Sequence, residues 1–269
     1  MLKHLNSYID FIDGVPLNTI KSYKRFINKY FNNFNYLSEE NINLFINNEK
    51  SASSKNSAKV SISNYWNWLF NQEYIEKNIN KNKIKKVNVI MKEAEFLEPD
   101  EIKLFMEKIF SSKMKVYIAA ITMLLNTGVR ISELITLENK DLNLDEKYIR
   151  IQAKNSKNGI PRKCFFNDDT KKYLIEYLDS KENKSGKIFD ICSSSIAKKI
   201  TKIIKKCNID KNVTPHTLRH TFATLSIKNK TSLFVVSKSL GHKNLATTSN
   251  IYVHVIDDDL KENGNISYY

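Results

Sequence analysis

The chain has 269 residues and a mass of 31.3 kDa, a length that suits two modest domains better than one, because a single core stops growing near this size. Hydrophobic residues make up 41% and the mean hydropathy is −0.43, enough apolar material for a packed core. No run approaches the roughly 18 consecutive apolar residues of a membrane span, and the opening Met1-Leu2-Lys3-His4-Leu5-Asn6 lacks the apolar stretch of a signal peptide. Three scattered cysteines, Cys164, Cys192 and Cys207, form no CxxC pair. They argue against a disulfide framework or a structural zinc site and fit a reducing cytoplasm.

The net charge is +14 and the isoelectric point near 9.4. Residues 1–90 hold 13 basic against 7 acidic side chains and the remainder 30 against 22, so the excess is no single tail. Such an excess points to a polyanion, most often nucleic acid, with a solvated lysine-rich surface as the plain alternative. Six glycines and four prolines fall at apparent element boundaries, which leaves most of the chain to helix.

In chain order, residues 1–80 read as a small helical bundle. Asn18 or Thr19 is placed to cap a helix whose apolar stripe is Ile20, Tyr23, Ile27 and Tyr30, with Lys21, Lys24, Arg25 and Lys29 off that stripe. A second helix runs from about Ser38 through Ile42, Leu44, Phe45 and Ile46. The small residues and lysines of Ser51–Lys59, Lys55 and Lys59 among them, would let a helix approach a duplex closely. The aromatics Tyr65, Trp66 and Trp68 that follow read as core. Residues 77–92 carry Lys77, Lys81, Lys83, Lys85, Lys86 and Lys92 with little periodicity, a basic linker that would track a phosphate backbone or be solvated. Glu98-Pro99-Asp100-Glu101 opens a new helix, with acids and proline in its first turn. Residues 146–166 switch to period two, Ile149, Ile151 and Ala153 alternating with Arg150, Gln152 and Lys154. With Asn158-Gly159 as the turn this predicts a β-hairpin, its return strand demoted to an edge by Pro161. Helices resume from about Thr170.

Four segments carry candidate chemistry. In Leu125-Asn126-Thr127-Gly128-Val129-Arg130-Ile131-Ser132-Glu133-Leu134, Gly128 ends one helix and Arg130 begins the next. Arg130 and Glu133 share a face, and a cation at a helix start opposes the dipole unless it meets an anion. Lys154 lies near the hairpin tip on its polar face, where an ammonium can reach into a groove. In Thr214-Pro215-His216-Thr217-Leu218-Arg219-His220, Thr214 caps the helix and Pro215 takes its first position. His216, Arg219 and His220 then line one face. The two histidines have the spacing of a metal pair, but the glutamate of HExxH is replaced by Thr217, so no metal is expected. Histidine and arginine in a helix's first turn suit phosphate instead, with His220 read as a hydrogen-bonded core histidine. In Leu240-Gly241-His242-Lys243 and onward to Tyr252, Gly241 closes a helix and His242 follows at once. Four of the five histidines fall in the last 54 residues, beside Arg219 and Tyr252.

Taken in order, TGVRISEL, the hairpin lysine, HTLRHTFAT and LGHKNLATTSNIY resemble the tyrosine recombinase/phage integrase family, particularly its Xer-like site-specific recombinases. The resemblance spans essentially the whole chain, more loosely in the N-terminal part. It implies a mainly α fold in two domains that clamp DNA. These are a helical core-binding bundle at 1–80 and an α-rich catalytic domain with a small antiparallel β-sheet at 95–269, joined by a basic linker at 81–94. It assigns Tyr252 as nucleophile, Arg130 and Arg219 as binders of the scissile phosphate, and His216 as general acid/base. Lys154 matches the acid for the departing 5′-oxygen, His242 a phosphate ligand, and Glu133 an orienting carboxylate. The lysine often sits in Gly-Lys-Gly; here it is Ala153-Lys154-Asn155, with Lys157 as a rival. DNA contacts are expected from Lys21, Lys24, Arg25, Lys55, Lys59, Lys83, Lys85 and Lys86. The implied partner is double-stranded DNA bearing a recombination site, held by a dimer per site and a homo-tetramer per synapse, with accessory proteins and without cofactor or membrane. The competing readings are a type IB topoisomerase-like nicking and resealing enzyme and a non-catalytic DNA-binding regulator.

Overall fold

The computed structural model describes residues 1–88, 95–156, 159–182 and 186–242. The chain folds as two compact units, Met1–Lys92 and Glu93–Tyr269.

Among its described residues the first unit holds four α-helices, α1 (Leu5–Phe11), α2 (Leu17–Phe31), α3 (Glu39–Asn47) and α4 (Ala52–Asn71). Phe26 and Tyr30 of α2 meet Ile42, Phe45 and Ile46 of α3 and Ala58, Ile62 and Trp66 of α4 in one buried cluster. A second cluster joins Leu5, Tyr8, Ile27, Tyr65, Trp68 and Leu69. The aromatics of α4 are thus core, as their spacing predicts. Ser38 and Ser51 cap α3 and α4, their hydroxyls accepting from the backbone N–H of Asn41 and Ser54 at 3.0 and 3.1 Å. The expected cap of α2 at Asn18 or Thr19 is not found. The helix begins at Leu17, after an extended Pro16 (ψ 134°) whose carbonyl accepts from Thr19 N–H at 2.8 Å, so proline sets the cap two to three residues earlier.

The lysine-rich segment from Lys77 to Val87, read in the sequence as the start of a basic linker, packs on the first unit. Ile79 and Ile84 are buried in the first unit's core, and Val87 packs against it. Trp66 Nε1 donates to Lys77 O at 2.8 Å, and Asn43 exchanges two hydrogen bonds with the backbone of Lys83 and Lys85. Two isoleucines that leave water, with backbone groups satisfied by side chains, offset part of the entropy that ordering a charged segment costs.

The second unit is built around α6 (Lys115–Thr127). Ile118 to Leu124 are all buried, and a helix apolar all round belongs at the centre of a fold. Around it lie α5 (Pro99–Ser111), α8 (Asp168–Asp179), α9 (Ser193–Lys206) and α10 (Pro215–Lys228), with the short α7 (Ile131–Leu134) following it. A three-stranded antiparallel sheet runs in the order β1 (Leu142–Asn143), β2 (Tyr148–Ile151), β3 (Arg162–Phe165), with Ile149 opposite Cys164 and Ile151 opposite Arg162. β3 is an edge strand, as Pro161 requires. β2 ends at Ile151 rather than continuing through Lys154, and Ala153–Asn155 form a 3-10 turn. The last helix described, α11 (Leu233–Leu240), packs Val236 and Leu240 on Ala223 and Ile227 of α10.

The segment leading into α5 is pinned to α10 and the loop before it. Leu97 N–H donates to Thr221 Oγ1 at 2.9 Å, Lys211 Nζ donates to Phe96 O at 3.0 Å, and Asn212 N–H to a Glu95 carboxylate oxygen at 3.0 Å. The helical bundle and small antiparallel sheet agree with the expected fold class. Among the described residues, no helix is long and apolar enough to cross a membrane.

Candidate active site

Three turns in the second unit converge. The first follows α6, where Gly128 takes the left-handed conformation (φ 61°) and its Cα faces Phe222 and Leu240. A Cβ there would lie 2.4 Å from Phe222 Cδ1, so only glycine combines this turn with this packing. The turn delivers Arg130 to the start of α7. The anion that a cation at that position demands is Glu133, whose carboxylate accepts from Arg130 N–H at 2.9 Å and from Arg130 Nη1 at 3.1 Å. This is no surface pair, because the Glu133 side chain is 1% exposed.

The second turn starts α10. Thr214 Oγ1 accepts from Thr217 N–H, and Thr217 Oγ1 returns the bond by accepting from Thr214 N–H, with Pro215 in the first helical position. One turn on, Arg219 points into the unit and is buried. Its Nη1 donates to Gly128 O at 2.7 Å, and its Nη2 donates to Leu240 O at 2.6 Å and lies 3.1 Å from His242 Nε2.

The third turn ends α11. Gly241 is left-handed (φ 68°) and His242 N–H donates to Ser237 O at 3.1 Å. The helix leaves its last carbonyls pointing at the arginines. Arg130 Nη1 joins Arg219 on Leu240 O, at 3.4 Å. Cations at a helix C-terminus complement its dipole and satisfy its orphan acceptors.

Arg130, Glu133, Arg219 and His242, four of the residues singled out in the sequence, therefore share one hydrogen-bonded group. Sequence reasoning missed a fifth member. Arg162, at the start of β3, donates from Nη1 and Nη2 to the two Glu133 oxygens at 3.1 and 2.7 Å, and from Nε to Ser239 O at 2.7 Å. One signal was available: of the 43 basic residues only Arg25, Arg130, Arg150, Arg162 and Arg219 are arginine, and three of these five meet here.

Three guanidiniums against one carboxylate leave the group about two charges positive. Burial would raise the Glu133 carboxyl, but hydrogen bonds and charge from Arg162, with Arg130, more than offset this and hold it below its ordinary range. Burial, then Arg130 and Arg162, push Arg219 down to about 9, so it is still a cation at neutral pH. Burial, then Arg219, Arg130 and Arg162, push His242 down to about 4, leaving the ring neutral. A guanidinium only donates, so His242 Nε2 is the acceptor and the ring proton is assigned to Nδ1.

His216 is exposed and packs edge-on against the half-buried His220, ring centroids 4.4 Å apart. Burial, His216 and Arg219 push His220 down to about 4. Lys154 stands exposed in its 3-10 turn beyond β2; it does not sit on the strand face that the alternation predicts. Lys157 and Tyr252, and the chain after it, lie outside the described residues. In the first unit, Lys21, Lys24 and Arg25 are exposed on α2, Arg25 lying 4.4 Å over the Phe26 ring. Lys55 is half-exposed on α4, while Lys83, Lys85 and Lys86 are exposed. Lys59 Nζ donates to Lys85 O at 3.1 Å, which ties that ammonium to the backbone of the lysine-rich segment. Among the described residues, no three His, Cys, Asp or Glu side chains converge in a way that could hold a metal ion.

A fold of helices packed around α6 with a small antiparallel sheet beside them, and this arginine group where α7, α10 and α11 meet, defines a class with known members. The family model described as the phage integrase family matches residues 95–258, and the chain belongs to that family. The tyrosine recombinase XerA of Saccharolobus solfataricus is 42% identical over 141 residues, 52% of this chain and 46% of that protein, so the chain spans about half the length of this relative. A tyrosine recombinase of Thermosipho africanus is 27% identical over 276 residues, 96% of each chain. The solved XerH site-specific recombinase, bound to a palindromic difH substrate after cleavage, shares the fold with a TM-score of 0.69 at 22% identity, over 98% of this chain and 84% of that one.

Proposed function

We propose that this protein is a site-specific tyrosine recombinase that cuts and rejoins double-stranded DNA through a 3′-phosphotyrosine intermediate. The observation that carries the reading is the meeting of Arg130, Arg219 and His242 around the Leu240 carbonyl, a preformed cationic group in a family of recombinases. Its chemistry follows from the charge. As the Tyr252 phenolate oxygen bonds to phosphorus, negative charge grows on the non-bridging oxygens. The Arg130 and Arg219 guanidiniums, already fixed by protein acceptors, meet that charge without reorganising.

A phenol with a pKa near 10 is a weak nucleophile at neutral pH and must lose its proton as it attacks; His216 takes the role of general base. The P–O5′ bond breaks, and Lys154 gives a proton to the departing 5′-oxygen, a step in which general acid help is worth about 10²–10⁴-fold. The products are a 3′-phosphotyrosine and a 5′-hydroxyl. The phosphoester is conserved, so a 5′-hydroxyl of a second duplex reverses the step and exchanges strands without ATP. Two duplexes with two protomers each make the working assembly a tetramer. Lys21, Lys24, Arg25, Lys55, Lys83, Lys85 and Lys86 are proposed to meet the phosphate backbone; Lys59 contributes through its tie to Lys85.

The test is recovery of DNA covalently attached to the protein after denaturation, from a randomised duplex library carrying nicks that trap the intermediate. The wild type should yield an adduct and Tyr252→Phe none, with DNA binding retained. An adduct that survives Tyr252→Phe would refute the nucleophile. Relaxation of supercoiled DNA without strand exchange between paired sites would favour the topoisomerase-like reading.

A further inference from the structure

Arg162 belongs to no motif that suggests chemistry, yet it bonds the carboxylate that holds Arg130 and the end of the helix on which Arg219 and His242 meet. Its side chain is 6% exposed, and Nε, Nη1 and Nη2 each donate to a protein acceptor, so the guanidinium is committed within the fold. The two ends of that commitment differ in kind. One is the Glu133 carboxylate, gripped in a planar fork that a lysine cannot reproduce. The other is Ser239 O in the last turn of α11. The guanidinium also lies flat against Gly241, where a Cβ would come within 2.9 Å of Arg162 Nη1 and 3.1 Å of its Cζ. Gly241 immediately precedes His242, and Leu240 O immediately before it is the acceptor shared by Arg219 and Arg130.

Resting on the recombinase reading, we propose that Arg162 is a positioning residue that clamps the end of α11 to Glu133. In this way it fixes both the Leu240 carbonyl on which Arg130 and Arg219 rest and the place of His242. The strand supplies a rigid base, Glu133 passes the constraint to Arg130, and the α11 end passes it to Arg219 and His242. Arg162 itself does not reach the phosphate. A guanidinium is needed here rather than any cation, because three donors in one plane must serve a carboxylate and a carbonyl on two different elements.

The experiment compares Arg162→Lys and Arg162→Met with the wild-type full chain. Folding is checked by circular dichroism, DNA affinity by titration, and the single-turnover rate of adduct formation is taken at saturating DNA. Arg162→Lys keeps the charge but loses the fork. It should fold, bind DNA nearly as well, and form the adduct about 10²-fold more slowly, the scale of an ångström misplacement. A second arm follows the His242 ring by NMR without DNA. The charged and titratable groups acting on it are Arg219, Arg130, Arg162 and His220. In Arg162→Met, loss of one cation should raise the His242 titration; in Arg162→Lys it should stay low while the ring's chemical shifts move. A purely structural role would lower stability but leave the saturating rate of the folded protein unchanged, and that outcome overturns the proposal. So do unaltered His242 shifts in both variants. If the wild type forms no adduct, the recombinase reading fails, and the NMR arm still decides whether Arg162 holds the end of α11.

Discussion

Replacing Gly128 by alanine tests how tightly the site's first turn is built. At φ 61° a side chain costs about 1–2 kcal/mol from its own backbone. The added methyl would also lie 2.4 Å from Phe222 Cδ1 and 2.9 Å from Leu240 Cδ2, well inside contact distance. Phe222 and Leu240 are themselves packed in the α10–α11 cluster, so overpacking adds about 1–3 kcal/mol. The total is about 2–5 kcal/mol against the unfolding free energy of the second unit. Gly159 supplies the control, since it has φ 68° but, among the described residues, nothing within 4 Å of its Cβ position. Gly159→Ala should therefore cost only the backbone part, about 1–2 kcal/mol. Urea titration of both variants, followed by far-UV circular dichroism, reads the difference as a shift of midpoint at constant slope. Because Gly128 O accepts from Arg219, Gly128→Ala should also slow adduct formation in the folded protein, and Gly159→Ala should not. Equal destabilisation by the two substitutions would refute the packing argument.

Thr214→Ala removes one side of the reciprocal cap of α10 and should cost about 1 kcal/mol in the same urea titration. Glu133→Gln leaves Arg162 buried beside a neutral partner and should cost about 3–5 kcal/mol at neutral pH. The Glu133 carboxyl is held below its ordinary 4.5 in the folded state, so its stabilisation is complete above that value and is lost as pH falls through the lower folded-state value. The variant should accordingly flatten the stability profile below pH 4.5, measured by urea midpoints across the acid range. His220 and His242 should titrate near pH 4 in ring-proton NMR of the DNA-free protein, and bound phosphate should move His242 upward because an anion favours the charged ring. Titration of both near 6.5 would contradict the buried, arginine-flanked site described above.

Local punctuation was readable from the residues alone. Thr214-Pro215 starts a helix where a cap and a ring with no N–H belong, Gly128 and Gly241 end helices in left-handed turns, and Arg130 begins one beside its acid. What was not readable depends on partners distant in the chain. Arg162 meets Ser239 across 77 positions, and no periodicity reports such a pairing. Ile79 and Ile84 look like strays in a lysine run until the buried cluster of α2, α3 and α4 that they join is known. The strand alternation that carried Lys154 onto a sheet face stops at Ile151, because a strand persists only where its partner does and β3 begins opposite that residue. β1 is two residues long, too short for any pattern to announce it.

The three bonds that fasten Glu95, Phe96 and Leu97 to Asn212, Lys211 and Thr221 set a load path. Tension on the backbone at the start of the second unit is shared by α5, which it enters directly, and by α10 and the loop before it, the element that carries His216, Arg219 and His220. A tug on this stretch of chain therefore reaches α10 two residues beyond Arg219, through the Leu97–Thr221 tether, and the loop before the helix through the other two.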